Sequence, residues 1–138
     1  MRTPEVSIVV ADLGMCTFVE KDDGYSLKAP KGTPAYAAPE IHNGEKVGPK
    51  ADCWSAGAVL YVMLGGYHPF DPAGDRSVPD IRHAARGGNY SFLDDVWDEI
   101  GWKAIALIMQ LLCVNEEIRL DMTRVLDHPW LREARYIC

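Results

Sequence analysis

Apolar positions along this chain recur mostly at helical spacing, and the polar stretches between them are dense in glycine and proline. Residues 51–64, ADCWSAGAVLYVML, predict a helix that is apolar nearly all round, a pattern that goes with burial on every side. Gly65 and Gly66 follow as a C-terminal stop. Over 102–114, Ile105, Ile108, Leu111 and Leu112 stand three and four apart, which predicts an amphipathic helix. Asp121 reads as the N-cap of a further helix over 122–131, with Val125 and Leu126 facing inward and Pro129 kinking or ending the last turn. A short surface helix is predicted over 80–86, stopped by Gly87 and Gly88. Strand character is confined to 6–10, VSIVV, a β-branched run that ends in a turn at Asp12-Leu13-Gly14. The class is mainly α, with a short β remnant before that turn.

Between 15 and 49 stand Gly24, Pro30, Gly32, Pro34, Pro39, Gly44, Gly48 and Pro49. Punctuation this dense predicts a long irregular segment. Such segments are uncommon inside compact domains and usually carry function, so the candidate chemistry belongs there.

Composition narrows the partners. A chain of 138 residues is a single-domain length, and 48% hydrophobic with 25% charged residues is globular rather than disordered. The excess of 20 Asp+Glu over 14 Lys+Arg gives −6, a balance unsuited to neutralising a nucleic-acid backbone. Cys16, Cys53, Cys113 and Cys138 lie far apart, with no zinc-ligand spacing to any histidine, and read as free thiols in a reducing compartment. The apolar run before Asp12 is too short for a signal-peptide core, and the charge-free stretch 53–66 falls short of the ~18 residues that suggest a membrane span. These features read as an intracellular protein, cytoplasmic or nuclear, with neither nucleic acid nor membrane as partner.

One ordered set of motifs stands out. Asp12-Leu13-Gly14 is followed by Gly32-Thr33-Pro34-Ala35-Tyr36-Ala37-Ala38-Pro39-Glu40, then by Asp52-Cys53-Trp54-Ser55-Ala56-Gly57, by Gly66-Tyr67-His68-Pro69-Phe70, and finally by Arg119 and His128-Pro129-Trp130. In this order and spacing, over 6–131, the chain resembles the C-terminal helical lobe of a eukaryotic protein kinase, with DLG in the place of DFG and Ala38-Pro39-Glu40 as the APE motif. The resemblance divides 1–138, a partial kinase domain, into a strand and DLG turn (6–14), an activation segment (15–40) and a helical subdomain (51–131). GTPxYxAPE is similar to serine/threonine rather than tyrosine kinases. The stretch 89–100 and the terminal HPWL resemble the calcium/calmodulin-dependent kinase group, and within it the checkpoint-kinase-like members.

The resemblance implies roles. Asp12 would ligate Mg²⁺ on ATP, a hard-oxygen donor of the kind that ion prefers, and Gly14 would permit the turn beside the nucleotide. Leu13 would keep an apolar packing residue there. Gly32, Thr33, Pro34, Ala35 and Tyr36 would bind the protein substrate, Thr33 also bonding catalytic-loop groups. Glu40 and Arg119 would form a buried ion pair locking the activation segment to the helices. Asp52, Trp54 and Gly57 would be structural, Asp52 holding the catalytic loop. The family's activation-loop phosphothreonine position falls on Ala29, leaving Thr17, Tyr25 and Ser26 as hydroxyl candidates, and Val62 replaces a glutamate used by some kinases for substrate arginine. Cys16 stands two residues beyond Gly14, near the implied nucleotide.

Kinase chemistry also needs a glycine-rich loop, a strand lysine paired with a helix glutamate, and an HRD-xxxx-N catalytic loop. None occurs in these residues, and only eleven precede Asp12. The expectation is a chain that begins inside the kinase domain, keeps one of two metal ligands and no catalytic aspartate, and is inactive alone, with protein substrates or a missing N-terminal kinase half as partners. The alternatives are a non-catalytic kinase-like binding module and a truncated remnant.

Overall fold

Helices are the regular elements of this chain, and one of them organises the others. The computed structural model describes residues 8–19, 24–26 and 32–134. Among the described residues six helices follow one another: α1 (Pro39–Asn43), α2 (Lys50–Gly65), α3 (Val78–Gly87), α4 (Trp102–Leu111), α5 (Met122–Leu126) and α6 (Pro129–Ala134). Short 3-10 turns stand at Leu13–Met15, Pro34–Tyr36 and Asp95–Trp97.

α2 is the central element. Ala51, Cys53, Trp54, Gly57, Ala58, Tyr61 and Gly65 are buried along it. It ends at Gly66, whose φ of 80° is a left-handed conformation that glycine adopts without penalty. Gly57 lets α4 approach closely: a Cβ there would stand 2.7 Å from the Leu111 Cβ. Burial on every side does not hold, because Val59 and Met63, one turn apart, are 46% and 75% exposed. No described element covers that stripe.

The core splits around α2. Trp54 stacks on Phe70 with ring centroids 5.4 Å apart, and Tyr61 meets Trp97 at 4.6 Å. Ile81, Ala84 and Ala85 of α3 close this cluster, which Ile108 and Leu112 also join. Cys53, Leu107, Leu111 and Val125 form a second cluster, packed by Trp130 and Leu131. α3 begins at Ser77, whose hydroxyl accepts from the Asp80 N–H, and so starts two residues earlier than its apolar pattern alone suggests.

Four expectations are corrected. Ile8, Val9 and Val10 form no strand; they are 89%, 80% and 88% exposed, with no described segment to pair with, while Val6 and Ser7 lie outside the described residues. Among the described residues the only β features are isolated antiparallel bridges, Ser26 with Val47 and His68 with Asp71. α4 stops at Leu111 rather than 114: the Gln110 carbonyl accepts from the Leu120 N–H instead of that of Val114, and the carbonyls of Cys113 and Val114 turn to the Arg119 guanidinium. The helix over 122–131 is two helices, since Pro129 has no N–H to give and opens a new one. His128 Nδ1 accepts from the Trp130 N–H at 3.3 Å across that break. Leu126 is 52% exposed and does not face inward; Val125 does. Among the described residues no helix is long and apolar enough to cross a membrane.

Candidate functional site

A cleft of about 860 Å³ opens between the Asp12 turn, the Pro34–Tyr36 turn, α1 and the first turns of α2. Of the candidate residues, Asp12, Gly32, Thr33, Pro34, Tyr36 and Asp52 line it. Ala35 does not; it packs half-buried against the core. Trp54, Gly57, Glu40 and Arg119 are buried behind these walls, and Gly14 is exposed on the turn that Asp12 opens.

Asp12 has φ 61° and ψ 70°, the one non-glycine positive φ among the described residues, and tolerates it because its short carboxylate can bond locally. Its Oδ1 accepts from the Gly14 N–H at 3.4 Å, and a Cβ on Gly14 would lie 3.3 Å from that oxygen. The carboxylate is exposed to the cleft. Leu13 is 66% exposed, so the packing expected of it is not seen; no described element lies over this turn. Among the described residues no three His, Cys, Asp or Glu side chains gather as a metal cage. The hard-oxygen donors the cleft offers are the carboxylates of Asp12 and Asp52, the donor type that suits Mg²⁺ when water and phosphate fill its other positions.

The opposite wall is tied to α2. The Ser55 hydroxyl stands 2.9 Å from the Tyr36 carbonyl and 3.2 Å from that of Ala51, so its one proton fastens the Pro34–Tyr36 turn to the helix. The Tyr36 ring meets His68 edge-on at 4.9 Å. His68 Nδ1 accepts from the Phe70 N–H at 3.2 Å, and burial holds its pKa below 6.5. His42 on α1 is lowered too, by burial and then by the charges of Arg82 and Arg86.

Glu40 and Arg119 meet in a buried, two-pronged ion pair, Nη1 to Oε1 at 2.7 Å and Nη2 to Oε2 at 2.9 Å. Arg119 also donates from Nε to the Cys113 carbonyl at 2.8 Å, and from Nη1 to that of Lys50 at 3.0 Å. Its guanidinium lies 5.2 Å from the Trp54 ring centre. Lys50 Nζ bonds the carbonyls of Glu116 and Glu117, each at 2.9 Å. The first turn of α1, the start of α2 and the loop after α4 thus converge on one guanidinium and one ammonium.

Asp52 is exposed in the first turn of α2, where a carboxylate complements the helix N-terminus. Among the hydroxyl candidates Thr17 is exposed, whereas Ser26 is buried, pairs its backbone with Val47 at 2.8 and 2.9 Å, and stands 3.3 Å from the Thr17 hydroxyl. Ala29 lies outside the described residues. Cys16 is exposed on the cleft wall; Cys53 is buried, which pushes its thiol pKa up. Arg82, Ser55, His42 and His68 were not singled out as site residues by the sequence. Ser55 lies inside the motif that begins at Asp52, which could have flagged it; Arg82 reads like any surface arginine.

Residues 2–131 match the protein kinase domain family. The chain belongs to the protein kinase family. Its helices are those of the kinase C-terminal lobe, with the mainly helical, nearly strandless architecture described above. It is 35% identical over 127 residues to the serine/threonine-protein kinase zyg-8 of Caenorhabditis elegans, covering 92% of this chain and 16% of that protein. It is 34% identical over 129 residues to the human calcium/calmodulin-dependent protein kinase type IV, covering 93% and 26%. With the serine/threonine-protein kinase srk1 of Schizosaccharomyces pombe the figures are 38% over 128 residues, 93% and 21%. The chain thus spans about a quarter or less of the length of these relatives.

Proposed function

We propose that this kinase-family chain is the C-terminal, substrate-facing part of an intracellular, ATP-dependent serine/threonine kinase of the calcium/calmodulin-dependent group, checkpoint-kinase-like within it. The observation that carries the reading is the cleft in which Asp12 faces Gly32, Thr33, Pro34 and Tyr36. It puts a carboxylate able to hold Mg²⁺ beside a proline-stiffened wall against which an extended peptide can lie. The likeness to the calcium/calmodulin-dependent protein kinase type IV supports the group.

In phosphoryl transfer the serine or threonine oxygen attacks the γ-phosphorus, the bond to the β-γ bridging oxygen breaks, and the hydroxyl proton passes to a base. Bound Mg²⁺ would supply charge neutralisation at the phosphates. Asp12 would fix the metal's position, and Gly14 keeps the turn open enough for that carboxylate to point into the cleft. The wall from Gly32 to Tyr36, anchored by Ser55, would set the substrate's height. No HRD loop or glycine-rich loop occurs among the 138 residues. The base and the grip on the nucleotide must therefore come from sequence or a partner outside them, and these residues by themselves are inactive.

The test compares residues 1–138 alone with the same residues joined to a kinase N-terminal lobe and catalytic loop, by calorimetry with MgATP and by radiolabelled phosphate transfer. The expected result is no transfer by the chain alone, transfer by the assembled enzyme, and its loss in Asp12→Asn. Transfer by the assembled enzyme that survives Asp12→Asn, or robust transfer by the 138 residues alone, would overturn the reading.

A further inference from the structure

The charged residues lining the cleft are Asp12, Asp52 and, from α3, Arg82. α3 packs against both the Pro34–Tyr36 turn and α1, which carries Arg82 to the wall on which a peptide would lie. Arg86, one helical turn further on, is occupied: it donates to the His42 carbonyl. The Arg82 side chain is exposed and makes no hydrogen bond or ion pair with any described residue. The neighbouring His42 is held toward its neutral form by burial and by both arginines, so it adds hydrogen-bonding capacity but little charge. An arginine on a helix is ordinarily a solvated surface cation. This one differs in being unpaired on the wall of the cleft, in a chain whose formal charge is −6.

We propose that Arg82 makes the cleft selective for anionic peptides, taking a carboxylate or phosphorylated side chain that lies beside the Pro34–Tyr36 turn while the phosphoacceptor faces Asp12. This rests on the kinase reading and deepens it by naming a substrate class. The planar guanidinium offers parallel N–H donors that match the two oxygens of a carboxylate or phosphate. The acidic surface elsewhere repels such a peptide, so the preference is local to Arg82 and weakens with salt as screening shortens to about 8 Å at physiological ionic strength.

The experiment uses the natural polypeptide that carries residues 1–138. Fluorescence anisotropy measures binding of matched peptides with alanine at the acceptor and either glutamate, phosphoserine, glutamine or lysine at each of the next four positions. The serine-acceptor versions are run in parallel for kcat/KM. At one or more positions, the glutamate or phosphoserine peptide should bind about three- to tenfold more tightly than the glutamine one at low salt. Which of the two binds better separates a carboxylate from a phosphate preference. Arg82→Ala should erase the difference, Arg82→Lys should keep part of it, and Arg82→Glu should turn it toward the lysine peptide. Equal binding of acidic and glutamine peptides, or a preference that persists in Arg82→Ala, overturns the proposal. If serine peptides are phosphorylated without any acidic preference, the kinase reading stands and this inference falls. If nothing is phosphorylated, the binding comparison alone decides whether Arg82 selects anions, and the kinase reading is decided separately by the enzyme assembled with an N-terminal lobe and catalytic loop.

Discussion

Removing Arg119 should be among the costliest single changes in this chain. Its side chain is fully buried and Glu40 is nearly so, with both carboxylate oxygens engaged at 2.7 and 2.9 Å. Arg119→Ala would leave that carboxylate without a counter-charge, a loss of about 3–5 kcal/mol for breaking a buried pair. The carbonyls of Cys113 and Val114 lose their donor as well, and the Trp54 ring loses the cation over its face. These losses overlap rather than add, because water entering the vacated space rebonds part of them. The expected total is about 4 kcal/mol, a large fraction of the ~5–15 kcal/mol that holds a domain together. Glu40→Gln should cost less, about 1.5–3 kcal/mol, since the guanidinium keeps its carbonyl partners. The assay is urea denaturation followed by circular dichroism on the polypeptide carrying residues 1–138, closed as a double-mutant cycle. A loss below ~1 kcal/mol for Arg119→Ala at unchanged m-value, the magnitude of an exposed pair, would refute the reasoning.

Two further outcomes follow from packing and burial. Gly57→Ala should destabilise by about 1–3 kcal/mol, because the new Cβ would stand 2.7 Å from the Leu111 Cβ, whereas Gly101→Ala, with open space around it, should be near neutral in the same denaturation series. His42, His68 and His128 all titrate below 6.5 because burial disfavours the imidazolium. The unfolded chain then takes up protons first, so stability is full above about pH 6.5 and declines as pH falls below it. Glu116, raised above 4.5 mainly by burial, works in the opposite sense, so the diagnostic quantity is a difference between proteins. The decline in urea midpoint from pH 7.5 to 5.5 should be smaller in His68→Gln than in the parent, and an equal decline in both would count against the histidine assignment.

What the sequence revealed and what it hid differ in physical kind. α2 was legible because its apolar run is bounded by Pro49 and by Gly65-Gly66, local signals that do not depend on neighbours. Strand character does not hold at Ile8–Val10 because β-branched residues make a strand only where another backbone takes their hydrogen bonds, and none is described beside them. The end of α4 was misplaced because the Gln110 carbonyl is taken by the Leu120 N–H and the carbonyls just past the helix by Arg119, partners several residues beyond the apolar pattern. The cleft was legible as an ordered set of motifs, but Arg82 was not. Its place on the wall is decided by how α3 lies against the Pro34–Tyr36 turn, which no local spacing encodes.

The geometry of the cleft and the stability of the fold are also linked through the same few residues. Ser55 holds the Tyr36 carbonyl from one turn beyond Lys50, whose backbone carbonyl accepts from Arg119 and whose ammonium holds the loop at Glu116 and Glu117. Glu40 follows that same wall by four residues and closes the circuit through the ion pair. A change at Arg119 therefore reaches the peptide-facing wall without touching it, because α1 loses its anchor and the Pro34–Tyr36 turn must then be held by Ser55, the His68 contact and its packing against α3. Binding geometry at such a wall tolerates little displacement: a misplacement of about 1 Å can cost two orders of magnitude in rate. Variants that loosen the Glu40–Arg119 pair while leaving the chain folded, Glu40→Gln above all, should accordingly weaken peptide binding more than one change so far from the cleft would suggest. The wall is held in place by the core, not by the segment that forms it.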